Sequence, residues 1–225
     1  MSNLEIVRIS NSAWFKIKYM GKVIHLDPGY IEEYEKDGIA LDELEEKADL
    51  ILVTHGHSDH VREDVLQKIV SNDTVIVAPK SCKDVIKYSK TLVEAGDILN
   101  VLDIKIMVVH AYNTTEGSST KKTHKKGVGV GYVFCVDGKW LYLPGDTDLI
   151  PEMKNLGSID IAFMPIGGTY VMDIEEAVRA TEVIKTKIVI PMHQFEKDLD
   201  VFKEEVNSKL DVQPIILKVG NKVRM

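Results

Sequence analysis

The stretch DLILVTHGHSDH, residues 49–60, joins an apolar run to a dense set of donors. Its first five residues read as a short buried strand that stops at Thr54. His55, His57, Asp59 and His60 follow at once. Two imidazoles two residues apart can point the same way from an extended segment, and Asp59 with His60 then opens the next helix as a second donor pair. At this chain's own composition, H-x-H-x-D-H arises by chance in roughly one chain in two thousand. A loop that merely happens to be rich in histidine is therefore the weaker reading, and a metal site the stronger. Imidazole and carboxylate without thiolate suit Zn²⁺, Mn²⁺ or Fe²⁺ better than a structural, cysteine-rich zinc.

The pattern repeats outward from this stretch. IMVV ends at His110, WLYLP runs into Gly145-Asp146, and IVIPM ends at His193, so five of the seven histidines lie at strand ends. Upstream, LEIVRIS (4–10), AWFKIKY (13–19) and KVIHL (22–26) read as strands, with a tight hairpin at Met20-Gly21. The acidic segment IEEYEKDGIALDELEEKA is expected to be helical only in part, because Gly38 interrupts it.

Downstream, strands and helices alternate. Helices are expected at REDVLQKIV (62–70), SCKDVIKYS (81–89, with a serine cap), IEEAVRATEVI (174–184) and near 199–209. Strands are expected at TVIVA, DIKIMVVH (103–110), IDIAFMP and PIILKV, with a hairpin turning at Asp137-Gly138. The alternation predicts an α+β fold in which two mixed sheets carry helices on their outer faces, a four-layer αββα sandwich over one domain, residues 1–225.

The bulk numbers bound the function. With 44% hydrophobic and 28% charged residues the chain reads as an ordinary soluble globular protein. No apolar run reaches eighteen residues and the N-terminus lacks a signal pattern, so no integral membrane association is expected. Cys82 and Cys135 lie far apart and read as two buried thiols in a reducing cytoplasm. The net charge of −7 argues against a broad nucleic-acid surface. KKTHKK (121–126) is the local exception, as a solvated loop or a basic patch.

Taken in order, T-H-x-H-x-D-H, a strand-end histidine, G-D-T and a second strand-end histidine resemble the metallo-β-lactamase fold superfamily of metal-dependent hydrolases, over nearly the whole chain. The early VIHLDPG fits the same pattern. PIGGTYVMDIEEAVRATEVIKTKIVIPMH resembles the branch that holds ascorbate-6-phosphate lactonase, and HKKGVGVGY (124–132) is similar to a stretch in many members of that branch. The resemblance implies two divalent ions, with zinc favoured and manganese or iron as alternatives. His55, His57 and His110 would hold the first, Asp59, His60 and His193 the second, and Asp146 would bridge them. Histidine at position 57, where redox-active flavodiiron relatives tend to carry Glu, fits the hydrolytic pattern.

Two divalent ions about 3.5–4 Å apart can share a water and bring its pKa to about 7, which yields a metal-bound hydroxide at neutral pH. Asp59 and His124 are the catalytic candidates, Asp59 as ligand and proton shuttle and His124 as a hydrogen-bond donor to substrate. Lys126 is a candidate for an anionic group, and Tyr112, Asn113, Gly168 and Tyr170 for lining the pocket. Tyr112 and Asn113 could equally pack or cap locally, and Thr169, Tyr170 and Met172 could face either cleft or core. His25 reads as a hydrogen-bonded structural histidine, and Asp27 either as an acceptor behind a ligand or as a turn former. Trp14 and Trp140 read as core.

The expected substrate is a small, neutral or anionic lactone or ester. The alternatives are a metal-dependent phosphodiesterase and, more distantly, an RNA-processing nuclease, a glyoxalase-type thioesterase or a non-enzymatic metal-binding protein. The expected partner is a small molecule, and homo-oligomers remain open.

Overall fold

The computed structural model describes residues 4–35 and 38–225. It forms two compact units, one made of Met1–Val93 with Leu217–Met225 and the other of Glu94–Ile216.

In the first unit, β1 (Glu5–Arg8), β2 (Phe15–Tyr19) and β3 (Lys22–Leu26) form an antiparallel meander. The β2–β3 turn is tight because Met20 and Gly21 both take positive φ, 48° and 77°. β4 (Leu50–Leu52), β5 (Val75–Pro79) and β6 (Thr91–Val93) then add in parallel, and β14 (Lys222–Arg224) returns from the chain end to pair with β1. The one α-helix among the described residues of this unit, α1 (Glu63–Ile69), lays Val65, Leu66 and Ile69 on Val7, Trp14, Ile51 and Ile76. The opposite sheet face, including Ile6, Ile17, Leu26 and Leu52, is also buried, as a sheet with parallel strands requires.

The second unit has the same order of pairings. β7 (Ile98–Val101), β8 (Ile104–His110), β9 (Val130–Val136) and β10 (Lys139–Leu143) are antiparallel, and β11 (Ile161–Pro165), β12 (Ile188–Met192) and β13 (Gln213–Pro214) continue in parallel. Asp137 (φ 56°) and Gly138 (φ 69°) make the expected hairpin turn between β9 and β10. α2 (Ile174–Ile184) is capped by Asp173, whose side chain accepts from Glu176 N. α3 (Leu199–Lys209) is likewise capped by Asp198. Ala177, Ala180 and Ile184 of α2, with Phe202 and Val206 of α3, cover Tyr142, Ala162, Met164 and Val189. Each unit thus carries a mixed sheet with helix on one face, and the α+β class holds.

Four expectations need correction. SCKDVIKYS is not an α-helix: a single 3-10 turn, Lys80–Cys82, starts from Pro79 rather than from a serine cap. Only Cys82 and Ile86 are buried there while Val85 is exposed, too few apolar positions to anchor a helix face. PIILKV contributes only Pro214 to a strand, and the short strands β6, β7 and β14 lie outside the expected ones. The acidic segment, by contrast, is helical only in part, as expected: it forms two 3-10 turns, Glu32–Tyr34 and Leu41–Leu44, with Lys36 and Asp37 outside the described residues. Trp140 is half-buried beneath Lys105, and Cys135 is also half-buried, so neither is a full core residue.

His25 is the structural histidine expected. It is fully buried, and Trp14 Nε1 donates to its Nδ1 at 2.9 Å. Burial, aided by Lys16 and opposed by Glu46, pushes its pKa down to about 3. Its proton therefore binds the unfolded chain first, so this contribution to stability is complete above pH 6.5 and shrinks as pH falls toward 3. Between pH 6.5 and 5 the wild type should lose about 2 kcal/mol more than His25→Gln, measured by urea unfolding at the two pH values.

Candidate functional site

In the first unit the donors follow the C-terminal ends of β3 and β4, two parallel neighbours whose ends share an edge. β3 ends at Asp27 (φ 44°) and the turn Pro28-Gly29. A Cβ at Gly29 would lie 2.6 Å from the backbone of Ser58, His60 and Val61, so glycine lets this turn lie against the HSDH segment. Asp27 is buried and accepts from Thr54 N at 2.7 Å, Thr54 Oγ1 at 2.8 Å and His60 Nδ1 at 2.8 Å. Burial pushes its carboxyl pKa up, against the pull of His60 and the Thr54 donors. Of the two roles weighed for Asp27, the structure shows an acceptor behind His60, set in a turn.

These bonds fix the imidazoles. With its Nδ1 proton given to Asp27, His60 keeps Nε2 as its lone-pair atom, 3.7 Å from Asp59 Oδ2. Thr54 Oγ1 lies 3.1 Å from His55 Nδ1, which leaves Nε2 of His55 facing His57 Nδ1 at 3.0 Å. His55, Asp59 and His60 are buried while His57 is exposed.

In the second unit, β8 ends at His110, β10 leads through Gly145 (φ 68°) to Asp146, and β12 ends at His193. Asp146 is buried, with Oδ1 3.4 Å from His193 Nε2 and Oδ2 3.3 Å from His124 Nε2. His193 takes φ 50° and packs its ring edge-on to Phe195 at 4.6 Å. A Cβ at Gly167 would fall 2.6 Å from His193 O and 2.5 Å from the Phe195 ring, so the glycine turn is what lets β11 end against this strand end. Met172 is core, and Tyr170 meets Phe195 edge to face, with Lys121 over the Tyr170 ring.

His124 and its neighbours prove more connected than their sequence suggested. Asn113 Oδ1 accepts from His124 N at 2.9 Å and lies 3.1 Å from Nδ1, and Tyr170 O lies 3.2 Å from the same nitrogen. Lys126 sits 2.6 Å from Glu152 and over the Tyr112 ring, whose hydroxyl also donates to Glu152. Gly168, at φ 76°, donates to Met172 O and accepts from Thr120 N. Thr54, Glu152 and Phe195 were not anticipated as parts of the site. Only the threonine that opens THGHSDH offered a sequence signal.

The residues fit a metal ion. In the first unit Asp59 and His60 offer ligand atoms within 4.8 Å of each other, and in the second Asp146 and His193 do the same. The buried Nδ1 of His110 meets no hydrogen-bond partner among the described residues. Imidazoles oriented from behind by a carboxylate are the usual support of metal-binding histidines.

Residues 7–193 match the family model of the beta-lactamase superfamily domain. The chain belongs to that family. A UPF0173 metal-dependent hydrolase of Lysinibacillus sphaericus is 34% identical over 92% of this chain and 94% of its own. A second, from Methanosarcina mazei, is 28% identical over the full length of both. The crystal structure of a putative metal-dependent hydrolase from Parabacteroides distasonis superposes with a TM-score of 0.81 at 31% identity, covering 96% of this chain and 94% of that one. Membership makes the chain a metal-dependent hydrolase of the metallo-β-lactamase superfamily, whose His and Asp residues are able to bind metal. No helix among the described residues is long and apolar enough to cross a membrane.

Asp27→Ala should lower metal affinity about 10–100-fold by freeing the His60 and Thr54 side chains, read by competition with a chelator. Gly167→Ala should weaken retention in the same assay, because the added methyl displaces Phe195 or the His193 backbone.

Proposed function

We propose that the chain, as one domain over residues 1–225, is a dinuclear hydrolase of small lactones or esters, allied to the branch that holds ascorbate-6-phosphate lactonase. The observation that carries the reading is the donor chemistry: imidazoles and carboxylates at strand ends, with His60 oriented by the buried Asp27. In this reading His55, His57 and His110 would hold one ion and Asp59, His60 and His193 the other, with Asp146 as the ligand they would share. Zinc suits this donor set, and manganese and iron bind the same atoms. When bound, the ions supply Lewis acidity and an activated water at neutral pH.

The chain's own groups do the rest. Asp59, beyond its place in the donor set, orients the nucleophile and passes its proton to the leaving group. His124, with Nδ1 turned toward the acceptors Asn113 Oδ1 and Tyr170 O, meets the substrate through Nε2. Tyr112, Asn113, Gly168 and Tyr170 shape that side of the pocket. Lys126 meets an anionic substituent only by exchanging its contact with Glu152. Two free thiols, one of them buried, fit a cytoplasmic protein, and the net charge of −7 fits a small-molecule substrate better than nucleic acid.

The test is elemental analysis of untagged protein, paired with assays on model lactones and bis-p-nitrophenyl phosphate. About two ions per chain, with chelator-sensitive lactone cleavage, support the reading. Cleavage of the diester alone makes the protein a phosphodiesterase. Asp146→Asn should cut activity at least about a hundredfold and reduce metal content, and unchanged activity and content would rule out the shared-ligand role.

A further inference from the structure

The segment from Asn113 to His124 leaves β8 and closes on itself. Its neck is a cluster of bonds between its two ends: Asn113 N donates to His124 O at 2.8 Å, and His124 N donates to Asn113 Oδ1 at 2.9 Å. Asn113 Nδ2 ties the neck to Tyr170 O at 2.9 Å. The segment is a compact loop with touching ends, and the catalytic candidate His124 sits at its mouth.

Two buried carboxylates fill the loop. Asp148 is fully buried and accepts from Thr114 N at 2.8 Å, Ser119 N at 3.3 Å and Lys122 Nζ at 3.0 Å. Lys122 Nζ also reaches Gly117 O and Ser119 Oγ, so one ammonium stitches the loop across its middle. A Cβ at Gly117 would lie 2.2 Å from the Asp148 carboxylate, which shows how closely the backbone lies on it. Glu176, in the first turn of α2, accepts from Ser118 N at 2.9 Å and Ser118 Oγ at 2.6 Å, and that hydroxyl oxygen accepts in turn from Asp173 N.

Neither carboxylate can be explained by its own local element. A buried carboxylate is costly unless its oxygens are met by donors, and here most of the donors come from the loop. The loop, for its part, has few apolar residues and no strand of its own. Its order depends on these acceptors, with backbone bonds from Thr120 to Gly168 and Lys121 to Thr169. Asp148 also follows Asp146 by two residues, so the Gly145–Asp148 turn both carries the proposed shared ligand and anchors the loop that presents His124 toward it.

We propose that Asp148 and Glu176 are positioning residues: they hold the 113–124 loop so that His124 keeps its ring against Asn113 and its Nε2 toward Asp146. KKTHKK is, on this account, chiefly an internal fastening, with Lys122 spent on Asp148. The proposal rests on the reading of His124 as the residue that meets substrate, yet its first two readouts do not need a known substrate.

The full chain is compared with Asp148→Asn, Glu176→Gln and the milder Ser118→Ala, which removes one arm of the Glu176 clamp. Amide exchange over 114–122 should speed up about tenfold or more. Diethylpyrocarbonate should modify His124 several-fold faster, mapped by mass spectrometry with buried His25 as reference. Metal content should stay at the wild-type level. On whichever probe substrate is cut, kcat should fall about a hundredfold with a smaller change in KM, and Asp148→Asn should cause no further loss in a His124→Ala background. Unchanged exchange and His124 reactivity in folded Ser118→Ala and Asp148→Asn would overturn the proposal, as would additive losses in the double variant. If neither probe is cut by wild type, the functional reading fails while exchange and modification still decide this one.

Discussion

The buried Asp27 carboxylate is the contact on which the first unit's chemistry turns. It receives the Thr54 backbone and hydroxyl together with His60 Nδ1, and so fixes the end of β4 and the ring behind it in one stroke. A carboxylate with no access to water would be expensive if any of these donors were missing. Here the cost is met by groups that themselves need orientation. The second unit solves the same problem with different means: Gly167 lets the backbone close on His193, and Phe195 braces the ring.

Both units place their donors at the ends of strands that run the same way. In the first, β3 and β4 are parallel. In the second, β10, β11 and β12 are parallel and β8 shares their direction through the intervening antiparallel β9. A parallel arrangement gathers the outgoing loops on one edge, which is where ligands collect in open sheets. The strands supply rigidity, and positive φ at Asp27, Gly145 and His193 turns the chain sharply enough to present a side chain at once.

What the sequence reveals follows from how local each signal is. The turns at Met20-Gly21 and Asp137-Gly138, the Asp173-capped α2 and the α3 span depend on neighbours within a few residues, and they were legible. SCKDVIKYS misled because it has helix-like spacing without enough apolar positions to bury, and β14 gains its strand character from β1, far back along the chain. The same division runs through the site. Strand-end histidines announce themselves, whereas the pairing of Asp27 with His60 spans 33 positions, and that of Glu176 with Ser118 spans 58. Nothing in the local spacing distinguishes such acceptors from ordinary surface acids.

The lysine-rich loop shows the limit of counting charge. Four lysines in six residues suggest a receptor for anions, but Lys122 is bound to Asp148, Lys126 to Glu152, and Lys121 to the Tyr170 hydroxyl. An incoming anion gains only the difference between its own contact and the one it displaces. For Lys126 that displaced contact is a short pair at a half-exposed position, where the exchange costs little. For Lys122 it would strand the buried Asp148 without its cation, a far larger penalty. One sequence motif therefore holds two kinds of lysine: Lys126, in an exposed pair that is cheap to exchange, and Lys122, whose charge is committed to the fold. On the proposed function, substrate preference would then turn less on how many positive charges surround the donors than on which of them the structure has already spent.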